Sequence, residues 1–173
     1  MDSISPIRDD DEYGGYRVGF SAGYGKINAP MSMDVSTGDI ITQGAEKHAF
    51  TDMFDHSETF ELWSYTLETI LAEKTETILS RGIDNTRPRD FYDVYMLSAF
   101  QYDQIVFKEA FATTAKHRGS FEKILDYREI LQNISESPEM QNRWSSYTRQ
   151  MSYAAGIDFE ETLAAVYRLM SLA

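Results

Sequence analysis

The stretch LETILAEKTETILSRGIDNTRPRDFYDVYML, residues 67–97, decides how this chain folds. Leu67, Ile70, Leu71, Lys74 and Ile78 recur at three- and four-residue steps, so the stretch begins as a helix with one apolar face that Lys74 interrupts. Arg81-Gly82 breaks it, and Ile83-Asp84-Asn85-Thr86 reads as a loop. Arg87-Pro88-Arg89-Asp90-Phe91-Tyr92-Asp93 then opens a second helix, on which Asp90, Asp93 and Leu97 share a face. A lysine on one helix and carboxylates on its neighbour can meet as an ion pair or as a phosphate-and-metal site. Two plainer accounts compete. Aspartates suit the first turn of any helix, where free N–H groups and the dipole favour negative charge. A lysine in an apolar stripe can lay its methylenes on the core and its ammonium in water.

Working outward, the chain changes character once, near Ser64. Before it, Tyr16, Val18, Phe20 and Ala22 alternate with Arg17, Gly19 and Ser21, and Met31, Met33 and Val35 alternate with Ser32 and Asp34. Both runs read as strands, with Gly23 to Pro30 as the connection and Ser36-Thr37-Gly38-Asp39 as a turn. Asp39 reads as a residue of that turn. Phe60 to Trp63 reads as a third strand, and Ser64 or Thr66 as the cap of the first helix. Beyond it the periodicity predicts helices over 67–80, 90–100, 104–116, 121–134, 139–155 and 159–172. Gly119-Ser120 is expected to end one helix and cap the next, Ser137-Pro138 to start the fifth, Gly156 to close it, and Asp158 with Glu161 to form a capping box. The expected fold is α+β: a sheet region over 1–63, with a small, mostly antiparallel sheet of two to four strands drawn from residues 13–63, then a helical bundle over 64–173 that carries the Lys and Arg-Asp-x-x-Asp motifs. Phe107, Phe111, Trp144, Tyr147 and Tyr167 read as core aromatics, with base stacking the alternative.

At 173 residues one domain is the default. The absence of cysteine leaves neither disulfides nor thiolate metal sites and fits a reducing compartment; with no signal pattern or long apolar run, the cytoplasm is expected. His48, His56 and His117 match no zinc spacing. A net charge of −12 argues against a general nucleic-acid coat, since phosphate backbones are bound largely through Lys and Arg. Residues 1–60 hold eleven acidic and four basic side chains, with an acidic run at Asp9-Asp10-Asp11-Glu12, whereas Lys74, Arg81, Arg87 and Arg89 gather positive charge around the motif. A local basic patch suits a triphosphate or a short RNA end better than a long duplex.

Ala72-Glu73-Lys74, Leu79-Ser80-Arg81-Gly82, Asn85-Thr86-Arg87 and Arg89-Asp90-Phe91-Tyr92-Asp93, in this order and spacing, resemble the signature of the AbiEii/AbiGii toxin family of nucleotidyltransferases. The likeness extends upstream through Tyr13-Gly14-Gly15-Tyr16-Arg17-Val18 and 33–39, and downstream through Trp144 and Tyr153-Ala154. It implies a toxin of a toxin–antitoxin system that transfers a nucleotide from a nucleoside triphosphate to an RNA acceptor, tRNA being the expected one, with Mg2+ as cofactor and an antitoxin as protein partner. It further implies Lys74 on the triphosphate, Asp93 as the essential carboxylate of the last motif, and Asp90 in support. Arg87 and Arg89 become phosphate or ion-pair residues. Asp34, at the end of its strand, resembles a third metal-binding carboxylate and is expected to share a cleft with Lys74.

The same resemblance makes one segment conspicuous. The family's polymerase-beta-like fold carries a Gly-Ser turn and an Asp-x-Asp pair on a strand. Here Gly14-Gly15 is followed by Tyr16-Arg17-Val18, with no Ser or Thr and no carboxylate pair at the required distance. The chain therefore reads as the C-terminal part of such a protein, inactive alone and inclined to dimerise. The alternatives are a non-catalytic module that binds the antitoxin, or half of a split enzyme completed by a separately encoded N-terminal half.

Overall fold

The computed structural model describes residues 1–7, 14–36, 38 and 40–172. Tyr13, the acidic run at 9–12, and Thr37 and Asp39 of the expected turn lie outside the described residues. The fold is α+β, with antiparallel strands followed by six α-helices. The chain divides into two compact units, Met1–Ile40 and Ile41–Ala173.

The first unit is a three-stranded antiparallel sheet in the order β1-β2-β3, with β1 at Ser3–Ile7, β2 at Gly15–Tyr24 and β3 at Ile27–Ser36. The connection expected over 23–30 is much shorter: both strands run on to a two-residue turn at Gly25-Lys26. Gly25 supplies the positive φ of 59° that such a hairpin needs. Pro30 misleads because it sits inside β3, opposite Ser21. Counting alternate pairs from Tyr24 and Ile27 puts Pro30 at a non-hydrogen-bonded position of an edge strand, where its missing N–H costs nothing. The register collects Ile4, Tyr16, Val18, Phe20, Tyr24, Ile27, Met31, Met33 and Val35 on one face, with no charge among them. Arg17, Ser21, Ser32 and Asp34 lie on the other. Gly15 is a necessity of close approach, since a Cβ there would stand 2.7 Å from the Val35 carbonyl oxygen.

The second unit opens with a hairpin of β4 at Glu46–Thr51 and β5 at Thr59–Ser64. Five strands in two sheets thus replace the single sheet of two to four strands. β1 and β4 escape a search for alternation because Pro6 punctuates the first and Glu46, Lys47 and His48 occupy half of the second. A Phe50–Phe60 stack, 5.9 Å between centroids, stitches the hairpin across its strands.

Six helices follow: α1 Leu67–Arg81, α2 Pro88–Leu97, α3 Gln104–His117, α4 Tyr127–Glu136, α5 Pro138–Gln150 and α6 Phe159–Leu172. The fourth is shorter than expected because residues 122–124 form a separate 3-10 turn, and the fifth because another takes residues 152–154. Thr66, rather than Ser64, caps α1 by accepting from the Thr69 N–H at 3.2 Å, and Ser137 caps α5. Gly119, at φ 63°, lies just beyond the C-terminus of α3, but Ser120 caps nothing: its hydroxyl goes to Glu76. In the box at α6, the Asp158 N–H donates to Glu161 at 3.4 Å. Helix α1 is central, packed on α2 and α3, while α6 closes against α2 and α4. Leu71, Ile78, Leu79, Phe91, Phe107 and Ile134 are almost wholly buried between them. Trp144 and Phe159 stack at 5.7 Å, and the Trp144 indole N–H donates to the Ile157 carbonyl at 3.0 Å, so Trp144 is a core residue.

Candidate functional site

Helices α1 and α2 meet where the sequence interrupts its apolar pattern. From α1 the Lys74 ammonium reaches Asp93 Oδ2 at 2.6 Å and Asp90 Oδ1 at 3.1 Å on α2. Asp90 and Asp93 present their carboxylates together because they are three residues apart on a helix. The three side chains keep 24%, 13% and 18% of their surface, so the cation is held at the rim of the unit rather than released to water. Helical periodicity alone favours snorkelling for Lys74; the two short contacts replace that account with an ion triad. Asp90 Oδ2 is buried without a hydrogen-bond partner in the protein, an arrangement that costs free energy.

One further cation borders the triad, and another stands at the start of α2. Arg89 is 74% exposed and leans on Asp93 from 3.7 Å, and the Arg87 residue is exposed at the start of α2. The turn before α2 is held from both ends. Asn85, fully buried, accepts from the Arg87 N–H at 2.8 Å. Arg143 of α5 donates to the Asn85 carbonyl at 2.8 Å and to Ile83 at 3.3 Å. Arg143 lies far down the chain, and no local pattern ties it to the motif.

A second polar cluster, on the α3 side of α1, has no counterpart among the expected site residues. Glu76, 2% exposed, accepts from the Ser120 hydroxyl at 2.6 Å and from the Arg118 guanidinium at 2.7 Å. The available signal was the kind Lys74 gave: Glu76 stands between Ala72 and Leu79 on a buried face. Its partners anchor the exit of α3, a structural task.

Asp34 lies in the other unit. It faces Arg17 across β2 and β3 in a two-pronged ion pair of 2.7 and 2.8 Å, exposed on the polar face of that sheet. The guanidinium thus holds both of its oxygens. Among the described residues no group of three or more His, Asp or Glu side chains is placed to hold a metal ion, and Lys74 occupies the point on which Asp90 and Asp93 converge. As arranged, these residues do not fit a magnesium centre.

The family model for the nucleotidyl transferase AbiEii toxin of type IV toxin–antitoxin systems matches residues 2–165. The chain belongs to this family. AbiEii-family membership brings with it a nucleoside triphosphate substrate, chemistry that generally depends on a metal ion, and an antitoxin as partner. No curated protein and no solved structure matches this AbiEii-family chain. Among its described residues no helix is long and apolar enough to cross a membrane.

Proposed function

We propose that residues 74–93 form the phosphate-binding face of the nucleotidyltransferase, with Lys74 directed to the triphosphate, Asp93 and Asp90 positioning it, and Arg87 and Arg89 meeting the phosphates from outside. The observation that carries this reading is the Lys74 ammonium held by two carboxylates at a rim that the exposed Arg89 borders. A lysine that served only to cover the core would extend into water. Here a preorganised cation can exchange carboxylate partners for phosphate oxygens, with Asp93 receiving Arg89 as Lys74 leaves. The acceptor we propose is an RNA end, tRNA in the first instance, which the local basic residues suit better than the acidic whole.

On its own the 173-residue chain is proposed to transfer no nucleotide. Two-metal chemistry requires carboxylate oxygens shared between magnesium ions, and here the two of the triad are engaged with Lys74. Asp34, the other carboxylate expected at a metal site, is held by Arg17 through both of its oxygens. The test is to incubate the purified chain with each labelled nucleoside triphosphate, magnesium and total tRNA, beside a Lys74→Ala/Asp93→Ala variant. The expected result is no label on RNA but triphosphate binding that the double variant lacks. Label transfer abolished in the variant overturns the inactivity; binding that the variant retains overturns the site.

A second reading, an interaction module for the antitoxin or for a second copy, is favoured by the sheet of the first unit. Among the described strand residues its apolar face carries no charge and keeps Ile4, Tyr16, Met31 and Met33 more than half exposed. Faces of this kind mark association sites.

A further inference from the structure

The Lys74 triad has an aromatic flank. Tyr92 precedes Asp93 on α2, and its ring lies 5.0 Å from Tyr153 and 6.3 Å from Tyr147. The Tyr147 and Tyr153 hydroxyls share a hydrogen bond of 3.1 Å. Tyr147 belongs to the core, 8% exposed and packed on Trp144 at 5.5 Å. Tyr153 differs, because 53% of its surface is open although its hydroxyl is tethered. The cluster adjoins the triad through α2, on which Tyr92 and Asp93 are consecutive.

Closing the joint between α2 and α5 accounts for Tyr92 and Tyr147. It leaves the exposed half of the Tyr153 ring unexplained. We propose that Tyr153, backed by Tyr92, is the stacking platform for the base of the nucleotide whose phosphates meet Lys74 and Arg89. A nucleotide carries an anionic end and a flat apolar end, and α2 carries both kinds of partner: Arg89 and the Lys74-bound Asp93, and beside them Tyr92, against which the Tyr153 ring lies. A tethered ring stacks with little further loss of rotamer freedom. Since every base has a π face, a platform without a hydrogen-bonding reader tolerates all four and favours the larger purines. The inference rests on the phosphate site proposed above, so its test must separate base from phosphates.

Binding of ATP, CTP and inorganic triphosphate is measured by calorimetry on the wild-type chain and on Tyr153→Ala, Tyr153→Phe and Lys74→Ala. Tyr153→Ala is expected to weaken ATP about tenfold and CTP less, leaving inorganic triphosphate unchanged. Tyr153→Phe should retain most of the affinity, and Lys74→Ala should weaken all three ligands. If Tyr153→Ala binds ATP as the wild type does, or loses ATP and inorganic triphosphate equally, the platform is overturned while the phosphate site stands. Failure of the wild type to bind any of the three overturns both.

Discussion

Lys74 offers a direct energetic test of the triad. Truncating it to Ala leaves Asp90 and Asp93 facing one another in a mostly buried setting, with only the exposed Arg89 near Asp93. Breaking a buried pair on one side costs about 3–5 kcal/mol, and the partial exposure here lowers the expected loss to about 2 kcal/mol, read as a fall in the urea midpoint. Tyr147 supplies a pH test. Burial first, then its bond to Tyr153, push its phenol well above the ordinary value. The folded state therefore holds this proton after the unfolded chain has lost its own. The resulting stability is complete below pH ~10 and is lost as pH rises through the folded value. Tyr147→Phe should flatten the alkaline part of the stability profile, and an unchanged profile would contradict the assignment. Lys74 and the two aspartates were legible in the sequence because each broke or shared a helical face within one short stretch. Arg118, Arg143 and Tyr153 were not, since what gives each its role lies elsewhere in the chain and becomes a neighbour only once the helices pack.

Helix α3 shows how much a short element leans on its ends. Asp103 accepts from the Ile105 N–H at 2.8 Å and the Val106 N–H at 3.2 Å, and its own N–H is taken by Glu68 of α1 at 2.7 Å. Asp103→Ala should cost about 1 kcal/mol in thermal unfolding. In the β4–β5 turn, Asp52 accepts from the N–H groups of Asp55 and Phe54, which lowers its pKa. The turn's stabilisation is thus present above the ordinary carboxylate value of ~3.9 and is lost as pH falls through the depressed one. The Phe54 amide resonance should report that loss in an acid titration, and a resonance that stays fixed to pH ~2 would refute it. The helices were readable because a 3.6-residue period survives small boundary errors. Strands were harder: β4 carries three ionisable residues in six positions, and Pro30 inside β3 looks like a stop until pairing shows which way its nitrogen faces.

Within the whole molecule, the two units expose different chemistry. The sheet of the first carries an apolar face without charge among the described strand residues, and the proposed self-association should depend on it. Met31→Lys/Met33→Lys, on that face and half exposed, should shift the chain toward monomer in sedimentation experiments. An unchanged distribution would remove this face from the account. In the second unit, α1 buries a cation toward α2 and an anion toward α3. Lys74 and Glu76 are two residues apart, so their directions differ by about 200° around the helix axis. Leucines in their places would let α1 turn or slide between its neighbours at little cost. With opposite charges facing opposite walls, each wall accepts α1 at one azimuth only, as a two-bitted key fits its lock, and any rotation of the helix strands both charges at once.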